Sequence, residues 1–201
     1  MGWQFPLAVV LAYGIGAIPS GYLIGKVFRR IDIREHGSGN IGATNTLRVL
    51  GKPAGIAALI LDVAKGVVAV TVLAGVAASG RSPLSLPVMK VLLGIAAIAG
   101  HNWTVFLRFK GGKGVATSAG VFLGIAWLPV LIAAAVFAVV VLSTRIVSVG
   151  SMSAAVVLPL AMLMVGSERE FIWFSIVVAG LVLLRHSSNI KRLLQGKEHR
   201  F

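Results

Sequence analysis

Six apolar stretches set the terms for this chain: Phe5–Val27, Ala54–Ala78, Leu86–Leu107, Val115–Leu142, Val149–Val165 and Phe171–Leu184. The hydrocarbon core of a bilayer is about 30 Å thick, and a helix crosses it with about 20 apolar residues. Within that layer the backbone N–H and C=O groups must be paired internally, which for runs of this kind means helices. The expectation is therefore an all-α integral membrane protein, with residues 1–201 forming a single multi-pass domain. Charge agrees with hydropathy. Only 12% of residues are charged and the mean hydropathy is +0.94, against about 25% charged in a soluble domain. No basic region precedes the first run, so a cleaved signal peptide is not expected.

The fourth stretch is too long for one ordinary span and carries Pro129 in its middle. It is either one kinked helix or two short ones joined near Trp127-Leu128-Pro129. Basic residues choose between them. With two helices, the cationic loops around Arg29–Arg34, Arg48–Lys52, Arg108–Lys113, Arg145 and Arg185–Arg200 all fall on one face. Arg81, Lys90 and Arg169 stay on the other, and Lys65 lies inside a span. The positive-inside rule then predicts about seven transmembrane helices, the N-terminus outside and the C-terminus in the cytoplasm. Segments four to six are short, which makes re-entrant or partial spans part of the expectation. Gly21-xxx-Gly25 and Gly120-xxx-Gly124 have the small-residue spacing of close helix packing. Asp62 and Lys65 stand one turn apart in the second segment. They read as an i,i+3 ion pair holding the fold, with a place in a substrate site as the alternative.

The loops carry the chemistry. Phe109-Lys110-Gly111-Gly112-Lys113-Gly114 is a cationic, glycine-rich turn. Its N–H groups and lysines suit a phosphate or carboxylate; a basic membrane-surface loop is the plainer reading. It is not a nucleotide P-loop, because Leu107 and Gly114 occupy positions that motif gives to Gly and to Ser or Thr. The first basic loop holds Ser38, Gly39, Asn40, Thr44, Asn45 and Arg48, a donor set suited to a phosphate or polyol. Its Gly37-x-Gly39-x-x-Gly42 spacing follows a membrane segment rather than a strand, which removes it as a dinucleotide site. Arg145, Ser148, Ser151 and Ser153 lie in a third loop, where serines also serve as simple helix caps. His186 and Asn189 share a face if the last helix continues past Arg185. His101 reads as a packed or hydrogen-bonded histidine, and a metal site is not expected with so few acids beside it. The chain has no cysteine, which excludes disulfides and thiolate chemistry. Its net charge of +13 fits cytoplasmic loops and anionic headgroups better than nucleic acid. An anion transporter or channel is the competing class, but the sequence shows no internal repeat of the transporter kind.

In order, Gly37 to Asn45, Leu61-Asp62-Val63-Ala64-Lys65-Gly66, Gly100-His101-Asn102, Phe109 to Thr117 and the Arg185-His186 to Arg200 tail resemble the bacterial acyl-phosphate:glycerol-3-phosphate acyltransferases, the PlsY family. The ordered set spans nearly the whole chain. The resemblance implies a seven-helix enzyme of the bacterial inner membrane with its site facing the cytoplasm. It would transfer a fatty acyl group from acyl phosphate to the 1-hydroxyl of glycerol 3-phosphate, the first step of phospholipid synthesis. It implies no cofactor, membrane lipids as surroundings, and functional coupling to the enzyme that forms acyl phosphate. In that chemistry Lys113, Arg48, Ser151 and His186 are the candidates for the catalytic set. Ser38, Gly39, Asn40, Thr44, Asn45, Gly111, Gly112, Gly114, Ser148 and Asn189 are the candidates for substrate contacts. His186 has a base's chemistry, although the family is thought to let a substrate phosphate assist proton removal. Reporter fusions at Gly37, Gly111, Ser148 and Lys197 are expected to report cytoplasm, and fusions at Ser82 and Glu168 the outside. Gly111 and Ser148 on opposite faces would remove the seven-span reading.

Overall fold

Proline marks the break in the first apolar run, and glycine opens the break in the fourth. The computed structural model describes residues 2–200, and every regular element among them is helical. The helices are α1 (Gln4–Ala17), α2 (Ser20–Arg29), α3 (Ala43–Leu50), α4 (Lys52–Val70), α5 (Val72–Ala78), α6 (Leu86–Asn102), α7 (Val115–Leu123), α8 (Trp127–Thr144), α9 (Val147–Met164), α10 (Arg169–Arg185) and α11 (Ser187–Leu194). Four segments are long and apolar enough to cross a membrane: Lys52–Ala78, Leu86–Leu107, Trp127–Thr144 and Val147–Met164. Two bent pairs, α1 with α2 at 42° and α10 with α11 at 55°, raise the number to six.

The fourth run is indeed two helices, but the cut lies at Gly124–Ala126. Pro129 is the third residue of α8 rather than a breaker. A proline in the first turn removes an N–H that has no intrahelical partner anyway. The nine residues of α7 rise only about 13 Å, under half of the roughly 30 Å hydrocarbon layer.

The chain forms two compact units, one ending at Ile125 and one beginning at Ala126. In the first, α1 ends where Ile18 takes the extended ψ of 114° that a following proline favours. The carbonyls released there are met by side chains: Thr104 Oγ1 donates to Ala17 O at 2.6 Å and Lys65 Nζ to Ile18 O at 3.1 Å. Paired glycines bring helices to backbone contact. A β-carbon on Gly16 would strike the Ala97 carbonyl, and one on Gly100 would strike that of Tyr13, across α1 and α6. Gly66 and Gly120 stand in the same relation to Thr117 and Val63 across α4 and α7. With little apolar driving force between helices in lipid, such approach supplies van der Waals contact. Phe5, Ala8, Ala12, Ala69, Leu73 and Leu93 belong to the core thus enclosed.

In the second unit α9 packs on α8 and on α10. Gly150 faces Val141 and Phe137 of α8. Along α8 only Pro129 and Ala133 are buried, which leaves most of its apolar surface for lipid. The fold makes an exact demand at Gly120. Gly120→Val should destabilise by about 1–3 kcal/mol through overpacking, whereas Gly75→Ala, in open space, should gain up to about 1 kcal/mol from helix propensity. Thermal melts of the two detergent-solubilised variants compare them directly.

Candidate functional site

Two loops build the polar face of the first unit. In the loop before α3, Asp32 caps a 3₁₀ turn at Ile33–Glu35 by accepting from the Arg34 N–H at 3.0 Å. It also accepts from the Arg34 guanidinium, Nη2 to Oδ2 at 2.6 Å. These side-chain bonds hold the Asp32 carboxyl down at about 2, against the opposing effect of burial. The same guanidinium lies over the Tyr22 ring at 5.2 Å. Gly37 and Gly39 follow with φ of +61° and +71°, the left-handed region that glycine enters freely.

Asn45, expected among the substrate contacts, is instead the peg on which this loop hangs. Its Oδ1 accepts from the Ser38 N–H at 2.8 Å, and its Nδ2 donates to the carbonyls of Ile33, His36 and Asn40 at 3.2, 3.1 and 2.9 Å. It is 1% exposed. A buried amide must be satisfied, and this one is satisfied by the loop itself, so it shapes the site from beneath. Asn40 Oδ1 accepts from the Gly42 N–H at 2.8 Å and fixes the entry to α3. Ser38 and Arg48 are exposed and Thr44 is half-buried at the start of α3, so these three can face a ligand.

The second loop lies against the end of α6. Gly111 N–H donates to Asn102 O at 3.2 Å and Gly112 N–H to His101 O at 3.0 Å. This corrects the expectation that successive glycine amides would line the anion site: those of Gly111 and Gly112 are used by α6. The glycines are needed for the approach to α6. A β-carbon would strike the His101 carbonyl at Gly111, His101 Nε2 at Gly112 and the Asn102 side chain, at 2.7 Å, at Gly114. Gly114 also has φ +79°. Arg108 and Phe109, at φ +53° and +61°, are two consecutive non-glycine residues in a region that costs them strain.

The donors to a ligand lie slightly later. Lys113 is half-buried at the entrance to α7, and the first backbone bond of that helix runs from Ser118 N–H to Gly114 O at 2.7 Å. The amides of the opening turn thus point out of the helix end, where the dipole favours an anion. The Thr117 and Ser118 hydroxyls are buried there without a hydrogen-bond partner among the described residues.

In the second unit the tail organises the site residues. Glu198 Oε1 accepts from Ser148 Oγ at 2.9 Å and from Asn189 Nδ2 at 2.6 Å, and its Oε2 accepts from Arg192 Nε at 2.7 Å. Ser148 of α9 and Asn189 of α11 therefore meet through one carboxylate that the sequence reading did not single out. Its signal was available: Glu198 is the lone acid in a strongly basic tail. Ser151 is buried one turn beyond Ser148. His186 sits at the 55° bend between α10 and α11, so the helix does not run straight through it as its spacing to Asn189 had assumed. It is buried, with Nδ1 2.7 Å from the Val182 carbonyl oxygen. A carbonyl only accepts, so Nδ1 carries the hydrogen.

Apolar spans ending in cationic, glycine-shaped loops define a polytopic membrane protein with places suited to phosphate. The sequence matches the glycerol-3-phosphate acyltransferase family over residues 6–196, and the chain belongs to that family. It is 45% identical to the glycerol-3-phosphate acyltransferase of Desulforudis audaxviator over 97% of its own length and 94% of that protein. It is also 45% identical to glycerol-3-phosphate acyltransferase 2 of Moorella thermoacetica, over 96% of each chain. Its structure is similar to that of PlsY (YgiH), an integral membrane glycerol 3-phosphate acyltransferase crystallised in glycerol 3-phosphate and lysophosphatidic acid forms. The TM-scores are 0.88 and 0.86, the identities 36% and 35%, with 98% of this chain and 95% of each crystallised chain covered.

Burial, the largest single influence on Glu198, raises its pKa, but the bonds from Asn189, Arg192 and Ser148 together hold it below the usual glutamate value. With the folded value depressed, the carboxylate's contribution is complete above the unfolded pKa and is lost as pH falls through the folded one. Because the chain has no cysteine, a spin label on His199→Cys, an exposed position beside Glu198, reports tail docking. Its mobility should rise on acidification below the ordinary glutamate range. In Glu198→Gln it should be high at every pH, and an unchanged acid transition there would assign the effect to another group.

Proposed function

We propose that this chain transfers a fatty acyl group from acyl phosphate to the 1-hydroxyl of glycerol 3-phosphate, releasing phosphate and lysophosphatidic acid. The observation that carries this reading is the entrance to α7, where the half-buried Lys113 immediately precedes the opening amides of the helix. Family membership supplies the reaction class. Acyl phosphate is a mixed anhydride. The hydroxyl oxygen attacks the acyl carbon, the bond from that carbon to the phosphate oxygen breaks, and phosphate leaves with the electron pair. The leaving group is already good, so the protein has mainly to align the reactants and neutralise charge. Lys113 and Arg48 would meet phosphate charge, and Ser38, Asn40 and Thr44 would orient oxygens. Ser148, Ser151, His186 and Asn189 are the second unit's own candidates for substrate contact. The hydroxyl proton passes to a base or to a phosphate oxygen.

The charge asymmetry supports seven crossings with the N-terminus outside and the loops facing the cytoplasm; α7 would be the short, partial one. Bacterial relatives support the inner membrane as location. The enzyme that forms acyl phosphate is the functional partner this donor calls for.

The test is an assay of purified protein in detergent with acyl phosphate and radiolabelled glycerol 3-phosphate, followed by lysophosphatidate. Lys113→Ala should lower kcat about 10²–10³-fold, or about 3 kcal/mol, as for loss of one preorganised transition-state contact. Lys191→Ala, an exposed charge on α11, should change little. Acyl-CoA should give no product. Near-normal kcat/KM in Lys113→Ala alongside a damaged Lys191→Ala would move the site to another loop.

A further inference from the structure

We propose that His101 is a positioning residue for the Gly111–Gly114 loop, locked by the buried Asp62–Lys65 pair into the tautomer with its proton on Nε2 and turned as a donor toward that loop. This rests on the reading of the α7 entrance as the phosphate site.

A lysine ammonium has three N–H donors and no acceptor. Three atoms surround Lys65 Nζ: Asp62 Oδ1 at 2.9 Å, the Ile18 carbonyl oxygen at 3.1 Å and His101 Nδ1 at 2.8 Å. The two oxygens can only accept, and each takes one hydrogen. The third hydrogen is directed at Nδ1, which must therefore offer its lone pair. An Nδ1–H there would set two donors against each other in a buried site. Asp62 does not draw the imidazole proton to that side. Its Oδ1 lies 3.7 Å from Nδ1, beyond hydrogen-bond range, and already accepts from Ser20 Oγ at 2.9 Å. Asp62, Lys65 and His101 are 1%, 5% and 4% exposed, so water does not relax the arrangement.

With Nδ1 accepting, a neutral imidazole carries its hydrogen on Nε2. That atom lies directly against Gly112, where a β-carbon would collide with it. The main chain joins at the same point through the Gly112 N–H bond to His101 O, at 3.0 Å. His101 thus packs its ring against the residue that immediately precedes Lys113 and holds it through the backbone. The buried ion pair reaches the phosphate site through this ring: a charge pair on α4 fixes a tautomer on α6, and the tautomer fixes a loop. His186 holds the opposite state, with Nδ1 as the donor to Val182 O at 2.7 Å.

The experiment has two arms on the full-length protein in detergent. The first is nitrogen-15 NMR of the four histidines, assigned by the signals lost in His101→Gln and His186→Gln. His101 should show the Nε2–H pattern and His186 the Nδ1–H pattern. The second compares His101→Gln, which keeps an N–H donor within reach of Gly112, with His101→Leu, similar in size and without one. His101→Leu should lower kcat about 10²-fold with a smaller change in KM for glycerol 3-phosphate, the scale expected for a small misplacement of reacting groups. His101→Gln should recover about tenfold of that on the same scale, although both variants melt alike. An Nδ1–H His101, or equal activity in the two variants, overturns the proposal. If neither variant folds, the His101 signal of the unsubstituted protein is assigned by elimination with His36→Gln, His186→Gln and His199→Gln, and its tautomer decides. Ordinary activity in Lys113→Ala would overturn the phosphate reading and with it the catalytic half of this proposal, while the tautomer result would stand by itself.

Discussion

The Lys65 ammonium is the tie on which the first unit depends. It sits inside an apolar span, where an unpaired charge costs several kcal/mol, and it reaches three chain segments: α4 itself through Asp62, the break between α1 and α2 through the Ile18 carbonyl, and α6 through His101. The pair is stable there because all three of its donors are met and Asp62 is also bonded to Ser20. Two charges that cannot leave for water fix three segments in register.

That tie reaches the loops because α6 ends in the residues it holds. His101 and Asn102 receive the amides of Gly112 and Gly111, and Thr104 caps the opened end of α1. The proline break, ordinarily a weakness in a membrane helix, is where side chains from α4 and α6 find carbonyls to bind. In a medium without water, the polar groups released by one irregularity become the anchors of another.

The glycines have two distinct uses. Gly66 with Gly120 and Gly16 with Gly100 let helices touch through backbone. Those of the loop before α7 let the chain lie on the end of α6, and so place Lys113 and the start of α7. For the proposed reaction, phosphate has to be held firmly more than a strong nucleophile is needed, and a loop fixed by backbone contact is suited to that.

The sequence by itself determined the membrane character, the helical class, the basic loops and the family, because hydropathy, charge sidedness and ordered motifs are local properties of the chain. It also determined that Asp62 and Lys65 would pair, since i,i+3 spacing is set by helix geometry alone. It did not show that Asn45 would lie beneath its loop, that the Gly111 and Gly112 amides would be taken by α6, or that Glu198 would join Ser148 to Asn189. Each of these depends on partners distant along the chain, and an amide or carboxylate has the same composition whether it faces a ligand or a backbone carbonyl. Nor could spacing place the cut at Gly124–Ala126, since Pro129 is equally at home in a first turn and at a break. The tautomers of His101 and His186 belong wholly to the tertiary structure. A ring nitrogen has no fixed role until a neighbour that can only donate, or only accept, is brought within 3 Å of it.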